Sequence, residues 1–474
     1  MARYLSSRRT LSLLVIGVLL ALVAAPGCGK QQTSVGAERS GMPTQGQGAL
    51  GTSGVTDTGT AGLQGPISAP TGSPGTGGRA TTGASAPPGA AAKAVPGDTT
   101  GITDTEIRIG LHAPLTGASP VGNADWEKVA NLYWKKVNDE QGGVFGRKVK
   151  IVIADDKYTP DGAVAACRKL AEESKVMSMF GLAGVDQIAA CAKWATSRSI
   201  PYISSGASEQ GMKGLKYYFA ATMTYPAQAK LLADFVMKRL DGAKKKIAQV
   251  QSDTPNNDDQ HDAFVAAMRK YGKTLVVDDR VDKAGSSDAQ YATEVQKLRA
   301  AGAQIVFVHI SPTNMIKLAR MAESQGYKPQ WVGTAPTWSM NLAIQGAGTA
   351  MDGALTFSSW VSIDSETPEV REYKDTWTKY YGQPSVSEQL TMDLGMFGWG
   401  LNKSTHEVLR RAGRDLSREK FMAAMETVRD YQTGIIAPVS YLPGNHLAIR
   451  HVTVFKGDAV KMRWVQTEGF VDRF

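Results

Sequence analysis

Hydrophobic positions along this chain fall into two regimes separated by a long polar stretch. The first regime is a mostly apolar run over 11–25, preceded by Arg3, Arg8 and Arg9 and followed by Pro26, Gly27 and Cys28. A basic head, a short apolar stretch and small residues at its end describe a cleaved secretory signal over 1–27. The run is too short for a spanning helix, which needs roughly 20 apolar residues. The second regime starts near residue 106. Apolar residues cluster or alternate over 106–111, 149–154, 176–180, 201–204, 247–251, 274–278, 304–309 and 330–333, and these segments read as strands. Between them, apolar residues recur at helical spacing over 125–138, 161–173, 187–197, 226–240, 259–271, 289–301 and 314–324. In the first of these helices Trp126, Val129, Ala130, Tyr133, Trp134 and Val137 share a face. Strands alternating with helices predict an α/β fold with parallel sheets covered on both faces. A break near Tyr225 divides the series into two similar runs. Beyond it come a strand over 354–360, helices over 368–381, 388–412 and 418–427, and alternating residues over 447–455 and 460–465 that predict a terminal β ribbon.

Composition explains the gap between the two regimes. Residues 30–100 are dominated by Gly, Thr, Ser, Ala, Pro and Gln, contain no Phe, Trp or Tyr, and carry few charges. Such a stretch cannot bury enough apolar surface to offset the entropy of ordering, so 28–101 is expected to be a disordered linker. A flexible coil of about 70 residues reaches roughly 45 Å. Gly46-Gln47-Gly48-Ala49-Leu50-Gly51 matches a dinucleotide-binding pattern, but neither strand nor helix flanks it, so it is a chance match in a glycine-rich tract. The remaining 102–474 holds all nine tryptophans, and its length predicts two lobes rather than one core.

Charge and candidate chemistry narrow the function classes. The formal charge is +9, and three of the basic residues belong to the leader. The densest folded-region cluster, Lys244-Lys245-Lys246, is short and reads as a solvated loop, so nucleic-acid binding is not expected. The histidines, His112, His261, His309, His406, His446 and His451, show no metal-ligand spacing, and no nucleophile elbow occurs. No enzyme, metal or cofactor is therefore expected. Cys167 and Cys191 would meet an oxidising compartment, which leaves two readings open, a disulfide or two buried thiols.

Two resemblances sharpen the reading. Ala25-Pro26-Gly27-Cys28 resembles a bacterial lipobox, which implies lipidation of Cys28 and a membrane anchor; ordinary secretion is the alternative. Ser7-Arg8-Arg9-Thr10-Leu11 is similar to part of a twin-arginine export signal. In the folded region, Ile107-Arg108-Ile109-Gly110 with Ala113-Pro114-Leu115-Thr116-Gly117 resembles the opening of the periplasmic leucine/isoleucine/valine-binding proteins. The segments Gly142-Gly143-Val144-Phe145-Gly146-Arg147, Asp155-Asp156, Ala165-Ala166-Cys167-Arg168-Lys169-Leu170 and Ile200-Pro201-Tyr202-Ile203-Ser204-Ser205 continue that resemblance in order. It implies two Rossmann-like lobes of the type I periplasmic-binding fold, with a ligand cleft between them. Lobe 1 would be 102–225 and 352–430, lobe 2 226–351 and 431–474. It also implies capture of a small-molecule ligand, an amino acid or amide-like metabolite, for delivery to an ABC transporter permease. A sensing module of the same fold, acting with a membrane partner, is the alternative.

Carried over residue by residue, the resemblance implies a first ligand loop at Thr116 and Val121 and a second at Gly184-Val185, where many relatives have serine. Asp186 beside it would repel a carboxylate. A third loop holds Gly206, Ala207 and Ser208. On the second lobe Asn256 stands where relatives have an aromatic contact, and Thr334 and Trp338 end another strand. In some relatives a cysteine in the helix matching Cys167 is bridged, but its partner precedes the position of Cys191.

Overall fold

Apolar residues on both faces of short strands, flanked by helices with one apolar stripe, give two helix–sheet–helix layers in the computed structural model. The described residues are 97–119, 121–283, 285–336 and 340–474. The signal segment, Cys28, nearly all of the linker and Trp338 lie outside them. The first sheet has the order β2-β1-β3-β4-β5, from β1 (Glu106–Ala113), β2 (Lys148–Asp155), β3 (Ser178–Gly181), β4 (Tyr202–Ser204) and β5 (Tyr218–Ala220). All its pairings are parallel. Helices α2 (Pro160–Glu172) and α3 (Val185–Thr196) cover one face. Gly110 lets α2 lie close to β1, since a Cβ there would stand 3.0 Å from the Leu170 side chain. The other face, with Ile107, Ile109, Leu111, Phe180, Ile203 and Phe219, joins the core that includes α1 (Trp126–Glu140), α10 (Gln389–Ala412) and α11 (Arg418–Met425). Helix α9 (Pro368–Tyr381) packs beside α1.

The second sheet has the order β12-β11-β10-β9-β8-β6-β7. Its strands are β6 (Ile247–Asp253), β7 (Asp278–Asp282), β8 (Ile305–His309), β9 (Gln330–Gly333), β10 (Leu355–Ser358), β11 (Val452–Asp458) and β12 (Arg463–Val471). The run from β7 to β10 is parallel, and β11 and β12 add an antiparallel edge. Helices α4 (Tyr225–Arg239) and α5 (Asp258–Lys270) pack on one face through Phe235 on Phe357 and Phe264 on Phe307. Helices α6 (Asp288–Ala300), α7 (Pro312–Ser324) and α8 (Asn341–Ala347) share the core of the opposite face with Val250, Val306 and Val308.

Three expectations need correction. Strand β10, placed in lobe 1 by the resemblance, hydrogen-bonds β9 and β11 in the second sheet. Residues 431–449, placed in lobe 2, run along first-sheet elements: Ala220 donates to the His446 carbonyl, and Lys403 of α10 donates to that of Thr433. The strand expected over 274–278 is regular only from Asp278, because the first part of that apolar segment leads into β7. Strand β5 and helix α8 were not foreseen; both are short and lack a clear period. Cys167 and Cys191 form a disulfide between α2 and α3, with Cα atoms 6.1 Å apart. His112 lies beside this bridge and bonds Asp156 at 2.9 Å and Tyr202 at 2.6 Å, so neither ring nitrogen is spare for a metal.

Candidate ligand cleft

In parallel sheets, ligands sit beyond the carboxyl ends of the strands, where neighbouring connections diverge. Those points are β1/β3 in the first sheet and β6/β8 in the second. The loops after β1, β3 and β6 carry half of the expected site residues and those after β4 and β9 the rest; the loops after β3 and β4 meet second-sheet residues across the molecule.

On the first-sheet side, Thr116 is exposed and fixed by Asp155, which accepts its hydroxyl at 2.5 Å and its amide at 3.1 Å. Burial works to raise the Asp155 pKa, but the hydrogen bonds from Thr116, Lys157 and Leu115 outweigh it and hold the group below the usual range. Val121 is buried in the core. Gly184 caps α3 with φ +80°, a conformation that disfavours any side chain. A Cβ there would stand 2.0 Å from Gln187 Oε1 and 3.1 Å from the Tyr158 ring. A serine here, which the resemblance implies for many relatives, would be strained and would need the Gln187 side chain to shift. Val185 opens α3, half-buried. Gly206 is packed with no room for a Cβ, and its amide donates to Thr222 Oγ1 at 2.6 Å. Ala207 is buried, and its carbonyl accepts from Tyr225 N at 3.0 Å.

Two carboxylates then tie the sides together. Asp186, at the start of α3, accepts from Thr254 Oγ1 at 2.9 Å, from Asn256 Nδ2 at 2.5 Å, and from the Lys283 ammonium. Burial pushes its pKa up, yet Lys283, Asn256 and Thr254 together bring it below the ordinary value. In the opposite direction, Asp259 in the first turn of α5 reaches the loop after β4. One of its oxygens accepts from Ser208 Oγ at 2.9 Å, from Gln210 N at 3.0 Å and from Glu209 N. Here burial wins over those bonds, and the Asp259 pKa is raised. Glu209 in turn accepts from Thr224 Oγ1 at 2.6 Å.

Aromatic and neutral groups line the same region. The Lys283 ammonium lies 5.6 Å from the Tyr158 ring centre, and burial, reinforced by Asp186 and Asp156, pushes the Tyr158 phenol up to about 12. Tyr225 meets His309 edge to face at 4.6 Å. His309 donates to or accepts from Thr334 Oγ1 at 3.1 Å, and full burial lowers it to about 3, so it is neutral. Gln187 is fully buried, and neither atom of its amide has a protein partner.

The structure thus brings Ser208, Asn256 and Gly184 to one interface, with Val185 next to Asp186, and leaves Thr116 on an exposed loop. Thr334 sits behind the interface on His309. Sequence reading missed Lys283, Glu209, Tyr158 and Tyr225, which no pattern marks, and Asp259, which could have been found as an acid opening a helix directly after Asn256-Asn257. Two surface hollows lie elsewhere, about 280 Å³ beside Tyr133 and His406 and about 510 Å³ beside Asp364 and Arg463, and neither is lined by an expected ligand residue.

A family model described as periplasmic binding protein matches residues 106–461. Leu/Ile/Val-binding protein homolog 3 of Brucella melitensis is 27% identical over 204 residues, 43% of this chain and 54% of that protein, so the chain spans about half the length of this relative. Among solved structures, a fatty acid ABC transporter substrate-binding protein from Thermomonospora curvata superposes with a TM-score of 0.66 at 21% identity, covering 79% of this chain and 94% of that one. A branched-chain amino acid ABC transporter protein from Thermus thermophilus with bound valine gives 0.64 at 18% identity, covering 77% and 96%. At these identities the structural likeness speaks for the fold.

Proposed function

Because the chain belongs to the periplasmic binding protein family, a family of solute-binding proteins rather than enzymes, we propose that it captures a small polar, nitrogen-bearing metabolite between its two sheets and delivers it to an ABC transporter permease. The observation that carries this reading is the meeting of strand-end loops from both sheets through Asp186 with Lys283 and Ser208 with Asp259. The crossover segment 359–361 is paired with 435–437, with Val361 N donating to the Ile435 carbonyl and Ala437 N to that of Ser359. A braced crossover of this kind supports a hinge about which two lobes close on a solute. The lobes follow the sheets, with crossovers near 222–225, 358–362 and 449–452.

Membership of this family implies work outside the cytoplasm. No helix among the described residues is long and apolar enough to cross a membrane. The leader and Cys28 support a lipid anchor, with the linker giving the binding region room to dock on its permease. Cys28→Ala is expected to move the protein from the membrane fraction to the soluble one; an unchanged distribution on fractionation counts against the anchor.

A thermal-shift screen of the purified chain against metabolites tests the capture reading. A solute at 100 times its dissociation constant stabilises by about 2.7 kcal/mol. A positive shift from a small nitrogen-bearing solute is expected. No shift from any solute, or steady turnover of an amide or ester, contradicts it.

A further inference from the structure

The loop over 208–210 is built as an anion seat: one hydroxyl and two successive backbone amides converge on a single carboxylate oxygen. Its occupant is the chain's own Asp259. We propose that Asp259 sets the chemical class of the solute, filling this seat so that the cleft takes a molecule with a positively charged nitrogen and no carboxylate against this loop. The inference rests on the solute-binding reading above and narrows it.

Charge balance supports this class. Three carboxylates, Asp186, Glu209 and Asp259, take part in the cleft contacts, and one ammonium, Lys283, bonds the first of them; Asp259 and Glu209 are held by the Ser208 and Thr224 hydroxyls. Lys213 comes no closer than 3.9 Å to Glu209, and its side chain is 79% exposed. An incoming anion would meet a net negative region with its amide seat already taken. An incoming cation would meet a carboxylate, Asp186, beside the face of Tyr158, an arrangement that attracts ammonium and guanidinium groups.

The two internal occupants differ in how easily they yield. Lys283 reaches Asp186 on a flexible four-carbon stem that can swing into solvent, so a solute cation can take its place. Asp259 stands one methylene from the backbone of α5 and cannot withdraw unless the helix moves. The buried amide of Gln187, unpartnered beside Gly184 and Tyr158, offers a further acceptor and donor to the solute. The cation seat is thus exchangeable in the closed cleft, whereas the anion seat is vacated only when the lobes part and is refilled by Asp259 as they close.

Calorimetric titration of the purified chain tests this with three probe sets: carboxylate-free amines (butylamine, 1,4-diaminobutane and agmatine), L-leucine with L-isoleucine and L-valine, and the neutral amide butyramide. At least one amine is expected to bind ten-fold or more tightly than any of the amino acids. Asp186→Asn should weaken that amine ten-fold or more. Asp259→Ala should open the seat and raise affinity for L-leucine at least ten-fold. Tighter binding of an amino acid or of butyramide than of every amine by the unmodified chain overturns the inference while leaving solute capture intact, and so does an Asp259→Ala protein, folded by circular dichroism, with no gain for L-leucine. If Asp259→Ala does not fold, the ranking of probes on the unmodified chain decides. Failure of all three sets, together with an empty metabolite screen, brings down the capture reading itself.

Discussion

Asp393 of α10 accepts from both the backbone amide and the side-chain amide of Asn341, at 3.0 and 3.1 Å, and so links a first-sheet helix to the start of α8. Burial, opposed by the two Asn341 bonds and Arg463, raises its pKa to about 7. A carboxyl whose folded pKa lies above its unfolded one binds its proton more tightly when folded, so its contribution is fully present below about pH 4 and is lost as pH rises towards 7. Glu294, raised to about 7 by burial and by Asp279, acts in the same sense. Melting temperature is therefore expected to fall as pH rises from 5.5 to 8, and Asp393→Asn should flatten that slope; an equal slope in the variant contradicts the assignment. Ser208→Ala removes one of three donors to the Asp259 carboxylate and is expected to cost about 1.5–3 kcal/mol in denaturant unfolding, the range for bonds to charged groups. A loss below 0.5 kcal/mol would show that the contact carries little. At this scale sequence reading located Ser208 but assigned its hydroxyl to a ligand. The partner lies 51 residues away on α5, and nothing local marks a pairing that only the folding of both sheets creates.

Elements were far more legible than side-chain partners. Periodicity recovered α1, α9 and α10 because each buries a continuous apolar stripe, and it missed β5, three residues held by pairing with β4. It could not say that β10 stays in the second sheet, since strand partners are set by long-range hydrogen bonding. The glycines of α10 show how packing constrains an element: a Cβ on Gly398 would stand 2.5 Å from the Val129 carbonyl oxygen of α1. Gly398→Ala is expected to destabilise by about 1–3 kcal/mol through overpacking, despite the better helix propensity of alanine. A neutral or stabilising effect would mean that the two helices separate freely. The Cys167–Cys191 bridge fixes α2 to α3 across a sequence separation of 24. Replacing both by serine is expected to cost about 2–4 kcal/mol, read against the unmodified chain under non-reducing conditions.

For the whole molecule, two doubly wound sheets share one apolar core cluster, while the loops beyond the carboxyl ends of their strands meet through polar and charged contacts. Polar loop contacts of that kind separate at small cost and can close again around a solute, whereas buried apolar packing cannot. Amide hydrogen exchange with and without a saturating solute from the thermal-shift screen locates the site directly. Capture between the sheets predicts new protection at 184–187 and 206–210 on one side and at 254–259 on the other, within the same experiment. Protection confined to one sheet, or centred on the surface hollow beside Tyr133 and His406, would contradict it.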